Sequence, residues 1–382
     1  MTTRVRITTA QRSAAASSTP PARRCGVIIA SVAVLLLSAN IASARLPKRP
    51  LHWASTNFAK HSQAVEHLTL RGADSRGHRT FIRYSMANAG YKKGKLTITV
   101  LQRTPAGTLY GKQTFERGRY TVFRDHFGLR AGGNVMEVKD GKLMMTFQLK
   151  GVTGTAVMTP RGSGLSLKDR DSSGWLRRTL LSPWAKVEVD LRNPKGQNAK
   201  MKTTVFAVHE ASTLKAHRTY DRVVQFHKVR GGRVAVVDYI VAPSERKHRP
   251  LGFVILRGGG QRFVGKVTEE RRTAERLDKR NDYRVPWQID VRASRGSKTA
   301  DVRLTTSRQV SRKDDLAKMG FFARKAVGML IHPYTYTLAG TWSATVQAAP
   351  TAPKTAAAAA APAAAAPVAV TGKARFKYAQ AR

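Results

Sequence analysis

One cysteine, Cys25, is all that the chain contains, and it lies just ahead of the first apolar run. No internal disulfide or thiolate metal site can be built, and once a leader carrying Cys25 is removed no cysteine nucleophile remains. Acidic residues are also scarce: 23 Asp and Glu stand against 68 Lys and Arg, a formal net charge of +45. Such a field attracts anionic lipid headgroups, nucleic acid or acidic polysaccharide, and says nothing about fold. Catalytic and metal signatures are missing too. The ten histidines never form His-Glu-x-x-His, and pairs such as His61 and His67 or His209 and His217 carry no metal spacing. No Gly-x-Ser-x-Gly elbow occurs, since Arg161-Gly162-Ser163-Gly164 reads as a turn. Arg124-Asp125-His126 sets an acid beside a base, but neighbours on a strand point to opposite faces. No metal and no cofactor are therefore expected.

The N-terminus has the layout of an export signal. A basic stretch free of acids ends in Arg23-Arg24, an apolar run spans Val27 to Leu37, and Ala42-Ser43-Ala44 offers the small residues that signal peptidase prefers. Cleavage is expected after Ala44, which places the protein in the periplasm, the cell envelope or outside the cell. The alternative is an uncleaved anchor, because Val27 to Ala44 is about long enough to cross a bilayer. Cleavage would remove five arginines and no acid, so the positive excess survives.

From about Ser62 the chain alternates apolar and polar residues in short runs separated by turn formers, the pattern of antiparallel sheet. Leu96, Ile98 and Val100 alternate with threonines. Asp140-Gly141 should turn a hairpin between Asn134–Lys139 and 142–150, with Leu143, Met145, Phe147 and Leu149 on one face. Further strands are expected at 185–191, 201–210, 222–229, 233–242, 251–257, 261–268, 287–291, 301–306 and 334–338. Gly231-Gly232 and Gly258-Gly259-Gly260 supply turns between them, which also explains the Arg-Gly-Gly look of these segments without nucleic acid. Two segments break the rhythm. Residues 269–281 are rich in alternating charge with few β formers and read as a loop or short helix, and 314–330 carries Leu316, Met319, Phe322, Ala326 and Met329 at helical spacing. Residues 348–369 are almost all Ala, Pro, Thr and Val, followed by Lys373, Arg375, Lys377 and Arg382. This end reads as a disordered, basic Ala/Pro-rich tail.

The order of these features resembles the lipocalin-like tandem β-barrel family that includes the eukaryotic cell-survival factors and, more distantly, hydroxyneurosporene synthase and AttH-like bacterial proteins. The echo runs through Trp53, Asp140-Gly141, Trp175, Pro183-Trp184, Val205 to His209, Asp238-Tyr239 with Pro243, and His332-Pro333-Tyr334-Thr335-Tyr336. It covers roughly Trp53 to Leu338 and rests on no single specific motif. The resemblance implies a mainly β fold: two tandem antiparallel lipocalin-like barrels with one or two short helices and apolar interiors suited to a lipid-like ligand. The strong basicity and the leader depart from those relatives, so their ligand does not transfer. The expected organisation is a signal peptide at 1–44, a first β domain at 45–183, a second at 184–347 and the tail at 348–382.

If there is a site, it should be the lining of a barrel. Phe206, Val208, Tyr239, Val241, Phe253, Ile255, Trp287 and Tyr336 are the candidates, set against ordinary core packing for each. Asp238 interrupts the apolar run Val-Ala-Val-Val-Asp-Tyr-Ile-Val. Desolvation there would raise its pKa and suit it to acid/base chemistry, whereas a partner among the many arginines would make it structural. The leading expectation is a non-enzymatic binder of a lipid or other hydrophobic small molecule, with a basic surface for anionic membranes; nucleic acid is not the expected partner. The alternatives are an enzyme on an isoprenoid- or polyene-like substrate using Asp238 or Tyr239, and a non-catalytic polyanion-binding envelope protein with solid barrels.

Overall fold

In the computed structural model the alternating runs become two antiparallel sheets. The structure describes residues 46–74, 76–88, 93–230, 233–258, 260–314, 316–317, 333–348 and 368–380. The leader and nearly all of the helix expected over 314–330 lie outside the described residues.

The first sheet contains β1 (Val65–Ala73), β2 (Arg79–Ala87), β3 (Lys95–Thr104), β4 (Gly107–Phe115), β5 (Thr121–Val122), β6 (Gly128–Ala131), β7 (Asn134–Lys139), β8 (Lys142–Leu149), β9 (Val152–Thr159), β10 (Leu165–Asp171), β11 (Gly174–Arg192) and β12 (Asn198–Ser212). Its order is β4-β3-β2-β1-β12-β11-β9-β8-β7-β6-β5, with β10 paired to the near half of β11. The sheet curls until β4 meets β8 and β9. Gly111 allows this closeness, because a Cβ there would stand 3.0 Å from Val152 and 3.1 Å from Leu149. Leu68, Ile82, Ile98, Leu143, Phe147 and Val189 fill the concave side, one residue in two along each strand. Asp140 and Gly141, both at positive φ, make the expected hairpin turn. A short segment with a 3-10 turn at His52–Ala54 and the helix α1 (Thr56–Lys60) packs Leu51, Trp53 and Phe58 against this core.

After the short helix α2 (Ala216–Thr219), the chain forms β13 (Arg222–Arg230), β14 (Arg233–Val241), β15 (Pro250–Gly258), β16 (Gln261–Asp278), β17 (Tyr283–Arg295), β18 (Lys298–Asp314), β19 (Tyr334–Ala348) and β20 (Val368–Gln380), which close a barrel in that order. Closure leaves no unpaired edge, which an exposed strand would otherwise offer to other chains.

Three expectations change. Residues 368–380 are not a disordered tail but the strand β20, paired with β19 and, through Phe376–Gln380, with β13. The expected domain boundary at 183/184 falls inside β11, where Pro183 lies within the second of two register shifts, between Ser182 and Ala185; a residue without an N–H is tolerated at such bulges. The chain passes from one sheet to the other only after Ser212. Residues 269–278 are strand rather than loop or helix, because β16 runs on to Asp278 against β17.

Candidate functional site

The barrel lumen is built from alternate residues: Val237, Tyr239 and Val241 on β14 meet Phe226, Tyr336, Phe376 and Tyr378 from β13, β19 and β20. All are buried, and each such side chain contributes roughly 1.5–3 kcal/mol to folding. The lumen is thus filled by its own aromatics. At one end, Val234, Leu256, Phe263, Trp342 and Val370 surround a space of about 20 Å³, room for one water.

The opposite end opens into a pocket of about 370 Å³ lined by Asp221, Arg222, His248, Arg272, Glu275, Arg284 and Gln380. Arg222 at the start of β13 donates to Glu270 from Nε at 3.0 Å and from Nη2 at 2.7 Å, and from Nη1 to Asp221 at 2.7 Å. Burial alone would lower its pKa, but the hydrogen bonds to Glu270 outweigh that and hold the guanidinium charged. Arg272 Nη1 lies 2.6 Å from Glu275. A layer of phenols sits by this mouth. Tyr378 donates to Gln380 at 3.3 Å, and burial pushes its pKa up to about 12. The Tyr336 hydroxyl accepts a 2.7 Å bond from Asn281 Nδ2. Tyr239 is different: its hydroxyl is fully buried, feels the charges of Glu270, Arg222 and Arg272, and has no hydrogen-bond partner. Burial raises its pKa well above the phenol range, so it stays an uncharged donor. A buried hydroxyl left unpaired costs about 1–3 kcal/mol, and Tyr239 holds this free donor behind the residues that line the pocket.

Asp238 points the other way, out of the barrel and toward the first sheet. It is 6% exposed and accepts a 2.8 Å bond from Arg178 Nη2 of β11, whose Nε reaches Glu210 at 2.7 Å and whose Nη1 reaches the Leu251 carbonyl at 2.7 Å. His227 Nε2 lies 3.4 Å from Asp238, and Arg71 Nη1 lies 3.2 Å from His227 Nδ1. Burial acts to raise the Asp238 pKa, but the Arg178 charge and His227 override it and hold the carboxyl well below the usual range. The expected proton donor is therefore a permanently ionised partner of Arg178. Burial keeps His227 neutral, lowering its pKa against the pull of Asp238.

Apolar side chains flank this ion network. Phe206 and Val208 of β12 pack with Leu180, Trp184, Val236, Phe253, Ile255 and Val264, so the outer faces of the two sheets meet here. Four expected lumen residues, Phe206, Val208, Phe253 and Ile255, are instead in this inter-sheet layer, because they sit one residue out of phase with Tyr239 and Val241 or belong to the first sheet. Trp287 does not join the lumen cluster; it is half-buried with the Arg276 guanidinium 4.1 Å from its ring centre. Only Tyr239, Val241 and Tyr336 line the barrel interior as expected.

Sequence reasoning passed over Glu66. It is fully buried in the first sheet, accepts from the His52 and Trp53 backbone N–H groups at 2.9 and 2.7 Å, and lies 2.7 Å from His209 Nε2. This carboxylate ties the N-terminal segment over the first core. An acid in phase with Leu68 and Leu70 on the alternating strand β1 was the available signal. Among the described residues, no cluster of three or more His, Cys, Asp or Glu could hold a metal ion.

No protein-family model matches the sequence, and no curated protein matches it. Among solved structures, the chain is similar to CghA in complex with Sch210972, at 12% identity and TM-score 0.50 over 88% of this chain and 94% of that one. It is also similar to kievitone hydratase from Nectria haematococca, at 8% identity and TM-score 0.43 over 88% and 97% of the two chains. A third is an AttH-type protein from Nitrosomonas europaea, at 11% identity and TM-score 0.43 over 87% and 98%. At 12% identity the likeness to CghA is one of fold: this chain has the tandem lipocalin-like β-barrel architecture.

Proposed function

We propose that the chain is a non-enzymatic binding protein for a hydrophobic small molecule carrying a polar or anionic end, taken up at the mouth of the C-terminal barrel. The observation that carries this reading is the Tyr239 hydroxyl, buried without a partner and close enough to feel the charges of Arg222 and Arg272, which with Arg284 line the mouth. The pocket, at about 370 Å³, is near the small end for ligand sites, which suits a molecule of one or two rings better than a long acyl chain. Arg284, which is exposed and in no ion pair among the described residues, receives the charged end. The export signal ending at Ala44, an envelope or extracellular setting and attraction of the basic chain to anionic membranes belong to the same proposal.

The test uses 8-anilinonaphthalene-1-sulfonate, an anionic aromatic probe, with the full chain. Binding should be saturable. Tyr239→Phe, which removes one donor, should weaken it roughly 2- to 12-fold, and Arg284→Ala should weaken it further. Saturable binding that neither substitution changes, or no binding together with no small molecule carried through purification in native mass spectra, would remove the mouth as the site. The enzyme alternative built on Asp238 loses its motive, since that carboxylate is ionised and engaged by Arg178.

A further inference from the structure

The outer face of β1 to β4 carries an arrangement that the barrel mouth does not use. Register places Arg71, Phe81, Leu101 and Tyr110 side by side across the four strands. Along the strands this row is bordered on one side by Arg79 and Arg103 and on the other by Arg83 and Lys112. Strands β2, β3 and β4 contain no Asp or Glu. Arg79, Arg103 and Lys112 are exposed and make no ion pair among the described residues, and Tyr110 is 51% exposed. The Arg71 guanidinium lies 5.2 Å from the Phe81 ring centre, and Arg83 Nε is buried with no hydrogen-bond partner. In a sheet of this spacing the two cationic borders stand about 13 Å apart and the apolar row runs about 14 Å from Arg71 to Tyr110.

The same row continues under the barrel. Arg71 pairs in register with Phe206, whose ring packs 4.8 Å from His227 on β13. The face is therefore the floor of a step whose riser is the barrel wall. A narrow polymer can lie along such a floor.

We propose that this face is a docking surface for a linear anionic polysaccharide, one bearing carboxylate or sulfate groups. A ribbon of sugar rings sends its acidic substituents alternately to both sides, which matches cations on both borders of an apolar track. A single-stranded nucleic acid carries its phosphates along one side of its bases, which leaves one border unused. Tyr110 offers its exposed ring face to the sugars, and Arg71, stacked over Phe81, and Arg83 close the inner end of the track.

The experiment measures binding of fluorescent alginate oligomers to the full chain across a salt series, with oligo-dT as competitor. The triple reversal Arg79→Glu, Arg103→Glu, Lys112→Glu should lower affinity tenfold or more and flatten the salt dependence. A control reversing Lys139, Lys150 and Lys195, exposed residues elsewhere, changes net charge equally and should have a much smaller effect. Tyr110→Ala should weaken binding while leaving the salt slope unchanged. Equal losses from the two triple variants would mean diffuse attraction and overturn the proposal. So would oligo-dT binding more tightly than alginate, or an unaffected Tyr110→Ala. Because all of these residues lie outside the barrel mouth, the outcome is independent of the small-molecule reading.

Discussion

Replacing Asp238 by Asn removes a charge from the inter-sheet layer while keeping the side chain's shape and one acceptor oxygen. In the folded protein Arg178 would keep its 2.7 Å bonds to Glu210 and to the Leu251 carbonyl, but its Nη2 would face a neutral amide. Arg71 and Arg83 both feel the Asp238 charge as well, so without it Arg178 and Arg83 would share only the half-buried Glu210 and Arg71 would lose the counter-charge it feels. Breaking a buried pair by neutralising one partner costs about 3–5 kcal/mol, because the remaining charge is desolvated without compensation. At roughly 2–4 °C per kcal/mol, the calorimetric midpoint should fall by about 6–20 °C. The triple variant Asp238→Leu, Arg178→Met, Glu210→Gln should recover part of this loss, since an apolar pair of similar volume relieves both desolvation costs and leaves no acid facing it. A single-variant loss below about 1 kcal/mol would refute the reasoning, showing that solvent screens the layer as it screens surface pairs.

Two further outcomes follow from the same structure. His227 and His52 both have pKa values lowered mainly by burial, so the unfolded chain takes up protons first, near pH 6.5. Their contribution is complete above that pH and is lost as pH falls below it, before the carboxylates titrate; His227→Gln should flatten the decline of the thermal midpoint between pH 7 and 5, and an unchanged decline would count against the buried imidazole. Deleting residues 368–382 should expose the edges of β13 and β19 and give an aggregating or unfolded C-terminal half, read by size exclusion and near-ultraviolet dichroism; a soluble, monomeric product with native signals would show that β20 does not close the barrel.

Much of the architecture was legible in local pattern. Period-two alternation at Leu96, Ile98 and Val100 and the Asp140-Gly141 turn specify strands and a hairpin because each depends only on neighbours along the chain. The strand β20 carried the same signal, with Ala374, Phe376 and Tyr378 facing in and Lys373, Arg375 and Lys377 facing out, but the Ala/Pro segment before it made the cations read as a tail. Residues 269–278 gave no alternation because β16 there carries polar residues on both faces.

The sequence by itself determined the class: strands from alternation, turns from glycine and asparagine or aspartate, a positive field from composition, and the absence of thiol chemistry from a single cysteine. Tertiary structure alone decided which face of each strand became which surface. Tyr239 and Asp238 are adjacent, and strand geometry sends one into the lumen and the other against Arg178 of a distant strand. Phe206 and Tyr239 look alike as buried β-sheet residues, yet one packs between sheets and the other inside a barrel. Periodicity says that a side chain is buried; only the way sheets curl and stack says against what.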